Sequence, residues 1–368
     1  MSGMICLIFG TRPEIIKMSP VMKQLKEQGT EHFSIHTNQQ FSHNMDEVFF
    51  RQLELPQPNY RLKTGQSLKR RKTIISHGPQ TGLLLERIEE VLLKEKPKIV
   101  LVEGDTNTVL AGALAASKLK IKVGHIEAGL RSYDRNMPEE INRIVADHIS
   151  DLLFCPTEKQ RQILLKEGIG PEKIHVTGNT IVDAVMQNTS LAEEKSNALT
   201  KLRLKPGQYF LATVHREENV TDKQRLGGIL QGFERLHNEH GIPIIYPIHR
   251  RAERMIEFHG LKIPQGTKII KPTGYLDFLQ LMKNARLVLT DSGGVQEETC
   301  ILKVPCVTLR DNTERPETIE SGANTLAGTR PERIAEAAVQ MIKKERNWDN
   351  PFGDGKAAER IVRLAKNA

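Results

Sequence analysis

The sequence predicts an α/β protein built from two doubly wound domains, and three observations carry that reading. Short apolar runs of strand length alternate with segments of helical periodicity along nearly the whole chain. The alternation stops and restarts midway. At 368 residues the chain is also longer than one ordinary core organises, which suits two domains of common size. Strands covered by helices on both faces read as unbroken apolar runs, so the pattern implies βαβ units and parallel sheets.

In the first half the strand candidates are residues 4–9, 33–37, 99–102, 123–126 and 152–155. Helical patterns at 15–28, 43–53, 80–94 and 106–119 lie between them. The second series runs through strands at 209–215, 242–249, 268–270, 286–291 and 305–309, with helices at 222–240, 275–283, 294–302 and 331–346. The expected division is an N-terminal doubly wound domain over 1–177 and a C-terminal one over 178–354, with a hinge near Gly178. The last segment, 355–368, has strong helix formers after a Gly-bounded start and is expected to pack back on the first domain. Ligands of open α/β sheets sit outside the carboxyl ends of the strands, so the substrate is expected in a cleft that the two domains face across.

Composition narrows the function. The net charge of +8 comes from basic and acidic residues interleaved along the chain, which favours an anionic small substrate over a nucleic-acid track. Aromatics make up only 5%, too few for base-stacking platforms, and no nucleic-acid partner is expected. The opening run "MICLIFG" lacks the charged lead-in and small-residue cleavage site of a signal peptide, and no stretch reaches the roughly 18 apolar residues of a membrane span. No membrane partner is expected, and the localisation that follows is cytoplasmic. Cys6, Cys155, Cys300 and Cys306 show neither a C-x-x-C pair nor a histidine partner at metal spacing, so they read as buried thiols and no metal site is expected.

The chemistry concentrates where strands end. "FGTRPEIIK" has a single glycine, so it is no dinucleotide turn; Arg12 and Lys17 instead place cations beside helix amides that favour an anion. A solvated first turn is the alternative. "EGDTNT" and "HIEAGLR" put Asp105 and Glu127 at the edge of one sheet. Asp105 by itself reads as a helix cap, but the two acids together read as a polar pocket. "MPEEINR" starts a helix at Pro138, where Glu139 and Glu140 suit the dipole as solvated capping residues and Arg143 lies one turn from Glu139.

In the second half "TVHREENV" ends a strand with His215, Arg216 and Glu217, and "YPIHRR" brings His249 and Arg250 to the end of another. "TDSGGVQEET" runs Ser292, Gly293 and Gly294 straight into a helix, which reads as a phosphate cradle of small residues at an electropositive helix end, with a plain strand-to-helix turn as the alternative. Glu298, one turn further on, can accept two ribose hydroxyls. "RDNTERPE" adds Arg310 and Arg315.

Taken together, "FGTRPEIIKMSP", "GDTNTVLAGALAA", "GHIEAGLRS", "PEEINR", "VTGNTIVD", "TDSGGVQEE", "RDNTERPE" and "NPFGDGKAAERI" resemble the non-hydrolysing UDP-N-acetylglucosamine 2-epimerases, in order, from Gly10 to about Ile361. The resemblance implies two Rossmann-like domains of the glycosyltransferase-B type, a homodimer, and interconversion of UDP-GlcNAc and UDP-ManNAc with no nicotinamide or metal cofactor. It implies Asp105, Glu127 and Glu139 as catalytic acids, His215 as a further catalytic group, and Arg12, Lys17, Arg143 and Arg315 around the diphosphate and sugar. Ser292, Gly293, Gly294 and Glu298 would hold the UDP phosphates and ribose, and Phe278 would lie along the uracil. The chain departs from the family at "TNQQFS", where Asn38 and Gln40 replace a glycine and a histidine, so a second, regulatory UDP-GlcNAc site is not carried over. The basic run 69–72 reads as a solvated loop. The rival readings are a 2-epimerase of another UDP 2-acetamido sugar, a glycosyltransferase on the same fold, and a non-enzymatic nucleotide-sugar sensor.

Overall fold

The computed structural model describes residues 3–39, 49–62, 64 and 77–368. The chain divides into two compact units, 1–187 with 352–368, and 188–351.

The first unit is organised by a parallel sheet of seven strands: β1 (Ile5–Phe9), β2 (His32–His36), β3 (Tyr60–Arg61), β4 (Ile99–Glu103), β5 (Lys122–Ile126), β6 (Leu152–Cys155) and β7 (Ile174–Val176). Their order is β3-β2-β1-β4-β5-β6-β7. All five residues of β1 are buried, as expected of the strand at the centre, and Ile5 pairs with His32 on one side and Ile99 on the other. The chain winds outward from β1 in one direction and then resumes at β4 in the other. The carboxyl ends of β1 and β4 therefore flank the point where loops diverge and leave room for a ligand.

A further feature ties the chain terminus into this unit. Helix Ala357–Asn367 packs on helix Arg12–Glu27. Its first amides, those of Ala357 and Ala358, donate to the buried Asp183 carboxylate at 3.2 and 3.0 Å. The Asn179 N–H, next to Gly178 at φ +87°, donates to the Phe352 carbonyl at 2.8 Å. Two segments far apart in sequence, "VTGNTIVD" and "NPFGDGKAAERI", are thus one capping arrangement, with Asp183 serving as a remote N-cap.

The second unit has six parallel strands, β8 (Phe210–Thr213), β9 (Ile244–Pro247), β10 (Thr267–Ile270), β11 (Leu287–Thr290), β12 (Cys306–Thr308) and β13 (Asn324–Leu326), in the order β10-β9-β8-β11-β12-β13. The switch point here lies between β8 and β11. Gly232 lets helix Lys223–His240 lie close to helix Pro331–Lys343, since a Cβ there would come within 2.9 Å of the Ile334 side chain. Two doubly wound parallel sheets are the α/β architecture expected of the glycosyltransferase-B type.

Several elements are missing from the sequence reading, among them helices Glu158–Lys166 and Thr180–Lys195 and three short strands. Strands β3, β7 and β13 span two or three residues and carry polar positions, too little for period or run length to register. Helix Arg250–Phe258 follows β9 where only a strand end was expected. Of the helix expected at 43–53, the part before 49 lies outside the described residues, as do Gln40 and the basic run 69–72. All four cysteines are buried free thiols, and burial pushes Cys300 up to about 11 and Cys306 to about 12. No helix among the described residues is long and apolar enough to cross a membrane.

Candidate active site

In the first unit the acids of interest follow β4 and β5. Strand β4 ends at Glu103, Gly104 turns at φ +87°, and Asp105 comes next. Helix Asn107–Lys118 is capped by Thr106, whose hydroxyl accepts from the Thr108 N–H at 3.2 Å, so the cap expected of Asp105 is supplied one residue later. The Asp105 carboxylate is thereby released and takes the Arg143 guanidinium at 2.5 Å. Its backbone is held as well, because Asn142 donates to the Asp105 carbonyl at 2.9 Å.

Glu127 follows β5 with φ +69°, a left-handed conformation that a glutamate adopts only under constraint from its surroundings. The buried Lys17 ammonium, reaching in from helix Arg12–Glu27, lies 2.6 Å from its carboxylate. Lys17 is also 3.5 Å from Glu103. Lys17 is therefore a buried partner of strand-end acids and no part of a solvated turn.

Two expectations change at this point. The amides of Gly10 and Thr11, expected to draw an anion, donate to Glu14 of their own helix at 2.5 and 2.8 Å. Thr106 donates to the other Glu14 oxygen. Burial pushes the Glu14 carboxyl up to about 7 against the pull of these bonds. Glu140, expected as a solvated cap, is 1% exposed. It accepts from the Ser132 and Tyr133 amides at 2.9 and 3.0 Å and from Arg143 at 2.9 Å, and these bonds outweigh burial to hold it below the usual range. Glu139, its neighbour in the first turn, stays half-buried, and Arg12 is half-buried at the first position of its own helix.

Beneath this layer lies a buried network that sequence reading missed. The His125 ring places one nitrogen 2.7 Å from the Asp147 carboxylate and the other 2.8 Å from the Gly104 carbonyl. Both partners are acceptors, so both nitrogens carry hydrogen. Burial favours the neutral ring, but the Asp147 charge and these bonds outweigh it and raise the His125 pKa. Asp147 also takes Arg131 at 2.7 Å and the Gly129 amide at 3.2 Å. The turn carrying Asp105 is braced from below. A histidine within "VGHIEAG" signals nothing by spacing; only the fold reveals that its ring reaches across to the neighbouring turn.

In the second unit, His215 follows β8 with its side chain half-exposed and one ring nitrogen 2.9 Å from the Asp291 carboxylate. Asp291, fully buried at the end of β11, also accepts from the His215 and Arg216 amides at 3.0 Å and from Asn219 at 3.1 Å. Burial would raise its pKa, and these partners lower it instead. Asp291 thus orients His215 with its second nitrogen free to meet a ligand.

Directly after Asp291, Ser292 precedes helix Gly293–Ile301 without a side-chain cap, and a Cβ at Gly294 would meet nothing within 4 Å. That helix start has no side-chain cap and room beside Gly294, as a phosphate cradle requires. A Cβ at Gly293 would lie 3.8 Å from a Glu314 carboxylate oxygen and 4.0 Å from the Arg315 guanidinium carbon, so an acid and a cation both border the loop. Arg315 is held at 2.6 Å by Glu297. Glu298 is buried on this helix beside Tyr275, whose hydroxyl pKa is pushed up by burial and by the Glu298 charge. Phe278 is half-buried on helix Tyr275–Lys283. Arg310 forms a paired contact with Glu314 at 2.8 and 2.9 Å, and His249 serves as the cap of helix Arg250–Phe258. Among the described residues no group of three or more metal-ligating side chains forms.

Each unit therefore groups its own set. Asp105 with Arg143 and Glu127 with Lys17 form two ion pairs in the first, with Arg12 and Glu139 on the same two helices, while in the second His215 pairs with Asp291, just before Ser292, Gly293 and Gly294, and Arg315 lies beside Gly293, with Glu298 on the helix that follows.

Comparison with known proteins gives these groups a context. A family model described as UDP-N-acetylglucosamine 2-epimerase matches residues 23–366. The chain is 55% identical over 364 residues to the UDP-N-acetylglucosamine 2-epimerase of Methanocaldococcus jannaschii, covering 97% of each chain. It is 43% identical over 366 residues to the UDP-2,3-diacetamido-2,3-dideoxy-D-glucuronate 2-epimerase of Pseudomonas aeruginosa, covering 98% of this chain and 99% of that one. Among solved structures, the Methanocaldococcus jannaschii UDP-GlcNAc 2-epimerase in complex with UDP-GlcNAc and UDP superimposes with a TM-score of 0.91 at 53% identity, over 99% of this chain and all of that one. The chain belongs to the UDP-N-acetylglucosamine 2-epimerase family.

Proposed function

We propose that this protein interconverts UDP-GlcNAc and UDP-ManNAc by eliminating UDP to 2-acetamidoglucal and adding it back. The observation that supports this most is the pairing of two strand-end acids with buried cations, Asp105 with Arg143 and Glu127 with Lys17, in a member of this family.

The hydrogen at C2 of a pyranose is not adjacent to a carbonyl, so its direct removal would leave a carbanion of prohibitive energy. If UDP leaves C1 first, positive charge at the anomeric carbon acidifies that hydrogen and a carboxylate can take it. Ionised acids are what this route needs. Asp105 stands 2.5 Å from the Arg143 guanidinium and Glu127 stands 2.6 Å from the Lys17 ammonium. Glu139 completes the set of acids that handle the proton and the cation-like sugar. The departing diphosphate needs the opposite: the open end of helix Gly293–Ile301, Arg315, and His215 aligned by Asp291 would stabilise its charge. Glu298 would accept the ribose hydroxyls, and Phe278 would lie along the uracil. Arg12 would contribute a further cation near the diphosphate. Returning the proton to the other face and re-forming the C1–O bond gives the epimer.

The chain of 97% mutual coverage at 55% identity favours GlcNAc over the diacetamido uronate of the 43% relative. Incubation with UDP-GlcNAc alone in deuterium oxide, followed by NMR, tests the proposal. UDP-ManNAc carrying deuterium at C2 is the expected product. Product without deuterium would overturn the elimination route, and unchanged substrate would point to a transferase or a sensor. We also place the protein in the cytoplasm and assign it a homodimeric state, which sedimentation of the purified protein would test.

A further inference from the structure

Glu103 is the last residue of β4, 2% exposed, and had no role in the reading of the sequence. The charged groups facing it are Lys17 and Glu14 from helix Arg12–Glu27 and Glu127 from the end of the adjacent strand β5. That gathers three carboxyl groups and one ammonium away from water. With all of them ionised, two negative charges would stand uncompensated where solvent cannot screen them.

Geometry decides which acid keeps the charge. Glu127 lies 2.6 Å from the Lys17 ammonium, whereas Glu103 lies at 3.5 Å. Glu14 is occupied by two backbone amides and the Thr106 hydroxyl. Glu103 and Glu127 face the same Lys17 ammonium, which brings their carboxyl groups close enough to interact, while the Glu103 Oε1 has no hydrogen-bond partner. A hydrogen bond between two carboxyl groups needs a proton on one of them, because carboxylates are acceptors only.

We propose that Glu103 is a positioning residue for the reaction: it stands as a neutral carboxylic acid whose hydroxyl donates to Glu127, so that Glu127 is the ionised acid held by Lys17. The inference rests on the reading of Glu127 as an acid that handles the substrate proton. Burial and the facing carboxylates raise the Glu103 pKa well above the ordinary range, which agrees with the neutral form. A neutral donor stabilises the charged form of Glu127 without adding a second negative charge beside it. Ionisation of Glu103 at alkaline pH would add that charge, raise the proton affinity of Glu127 and break the shared hydrogen bond.

Two variants test this, Glu103→Leu and Glu103→Gln, through the pH dependence of epimerisation and the infrared carbonyl band of protonated carboxyl groups in the ligand-free protein. The band is read at pH 8, above the value of about 7 for Glu14. Glu103→Leu is expected to lower kcat roughly tenfold with KM unchanged, the effect of a change of about one pK unit in a catalytic acid or base. Glu103→Gln, which keeps a neutral donor of the same shape, should restore most of that loss and remove the alkaline limb that Glu103 ionisation causes in the wild type. The protonated-carboxyl band should be present in the wild type and absent from Glu103→Gln. A band unchanged in Glu103→Gln, or an alkaline limb identical to the wild type, would overturn the proposal. The band decides the matter even if the wild type does not epimerise UDP-GlcNAc, so failure of the proposed activity and failure of this inference are separable.

Discussion

The Arg143 guanidinium joins Asp105 at 2.5 Å to Glu140 at 2.9 Å, and so connects a strand-end acid to a helix that begins with two glutamates. Of those two glutamates, Glu140 is consumed in building the site, held by backbone amides and this arginine, while its neighbour Glu139 is left half-buried. The arrangement separates a structural carboxylate from one that can meet a substrate, although the two are adjacent in sequence.

Asp105→Asn, Glu127→Gln and Glu139→Gln should each lower the epimerisation rate by roughly 10²–10⁴-fold, the usual contribution of a positioned acid or base. UDP affinity should stay near wild type, and Asp105→Asn should keep its helix cap because Thr106 and not Asp105 supplies it, whereas Glu127→Gln, which takes the nearest carboxylate from the buried Lys17 ammonium, should also lose stability. Progress curves followed by NMR, with melting curves as the control, check this. A variant that melts early but turns over normally would remove its residue from the chemistry.

Glu298→Ala should weaken UDP binding by about 1–3 kcal/mol, since the ribose hydroxyls it accepts would lose their partner on a buried surface. Calorimetric titration with UDP measures this. Wild-type affinity would take Glu298 out of the ribose site.

Glu14 links pH to stability. Burial raises its carboxyl from 4.5 to about 7 in the folded protein, so the folded state binds the proton more tightly than the unfolded chain. The resulting stabilisation is fully present below about 4.5 and is lost as pH rises to about 7. Glu14→Gln, which cannot titrate, should lack this component. The difference in Tm between wild type and variant, measured from pH 5 to 8, should therefore move against the wild type as pH rises; a constant difference would refute the assignment.

Asp147→Asn should destabilise the first unit by about 3–5 kcal/mol, the usual effect of removing one partner from buried charges. Its side chain is fully buried, and both Arg131 and the doubly protonated His125 depend on it. Chemical denaturation should show the loss. The rate per folded molecule should also fall, because His125 braces the Gly104 carbonyl just before Asp105.

The sequence by itself determined the architecture and most of the chemistry at the strand ends. Buried parallel strands are largely apolar, so β1, β4 and β11 announce themselves as apolar runs, and the polar residues at and after their ends mark the carboxyl edge of the sheet. The small residues Ser292, Gly293 and Gly294 before a helix were legible for the same local reason. Tertiary structure alone decided the partners. Lys17 meets Glu127 across 110 positions and Asp183 caps a helix more than 170 positions away, and no periodicity encodes such pairs. It also decided which acid does what. Asp105, Glu103, Glu127 and Glu140 are alike as sequence, and what separates them is burial and the nearest cation or amide, which depend on how distant segments pack together.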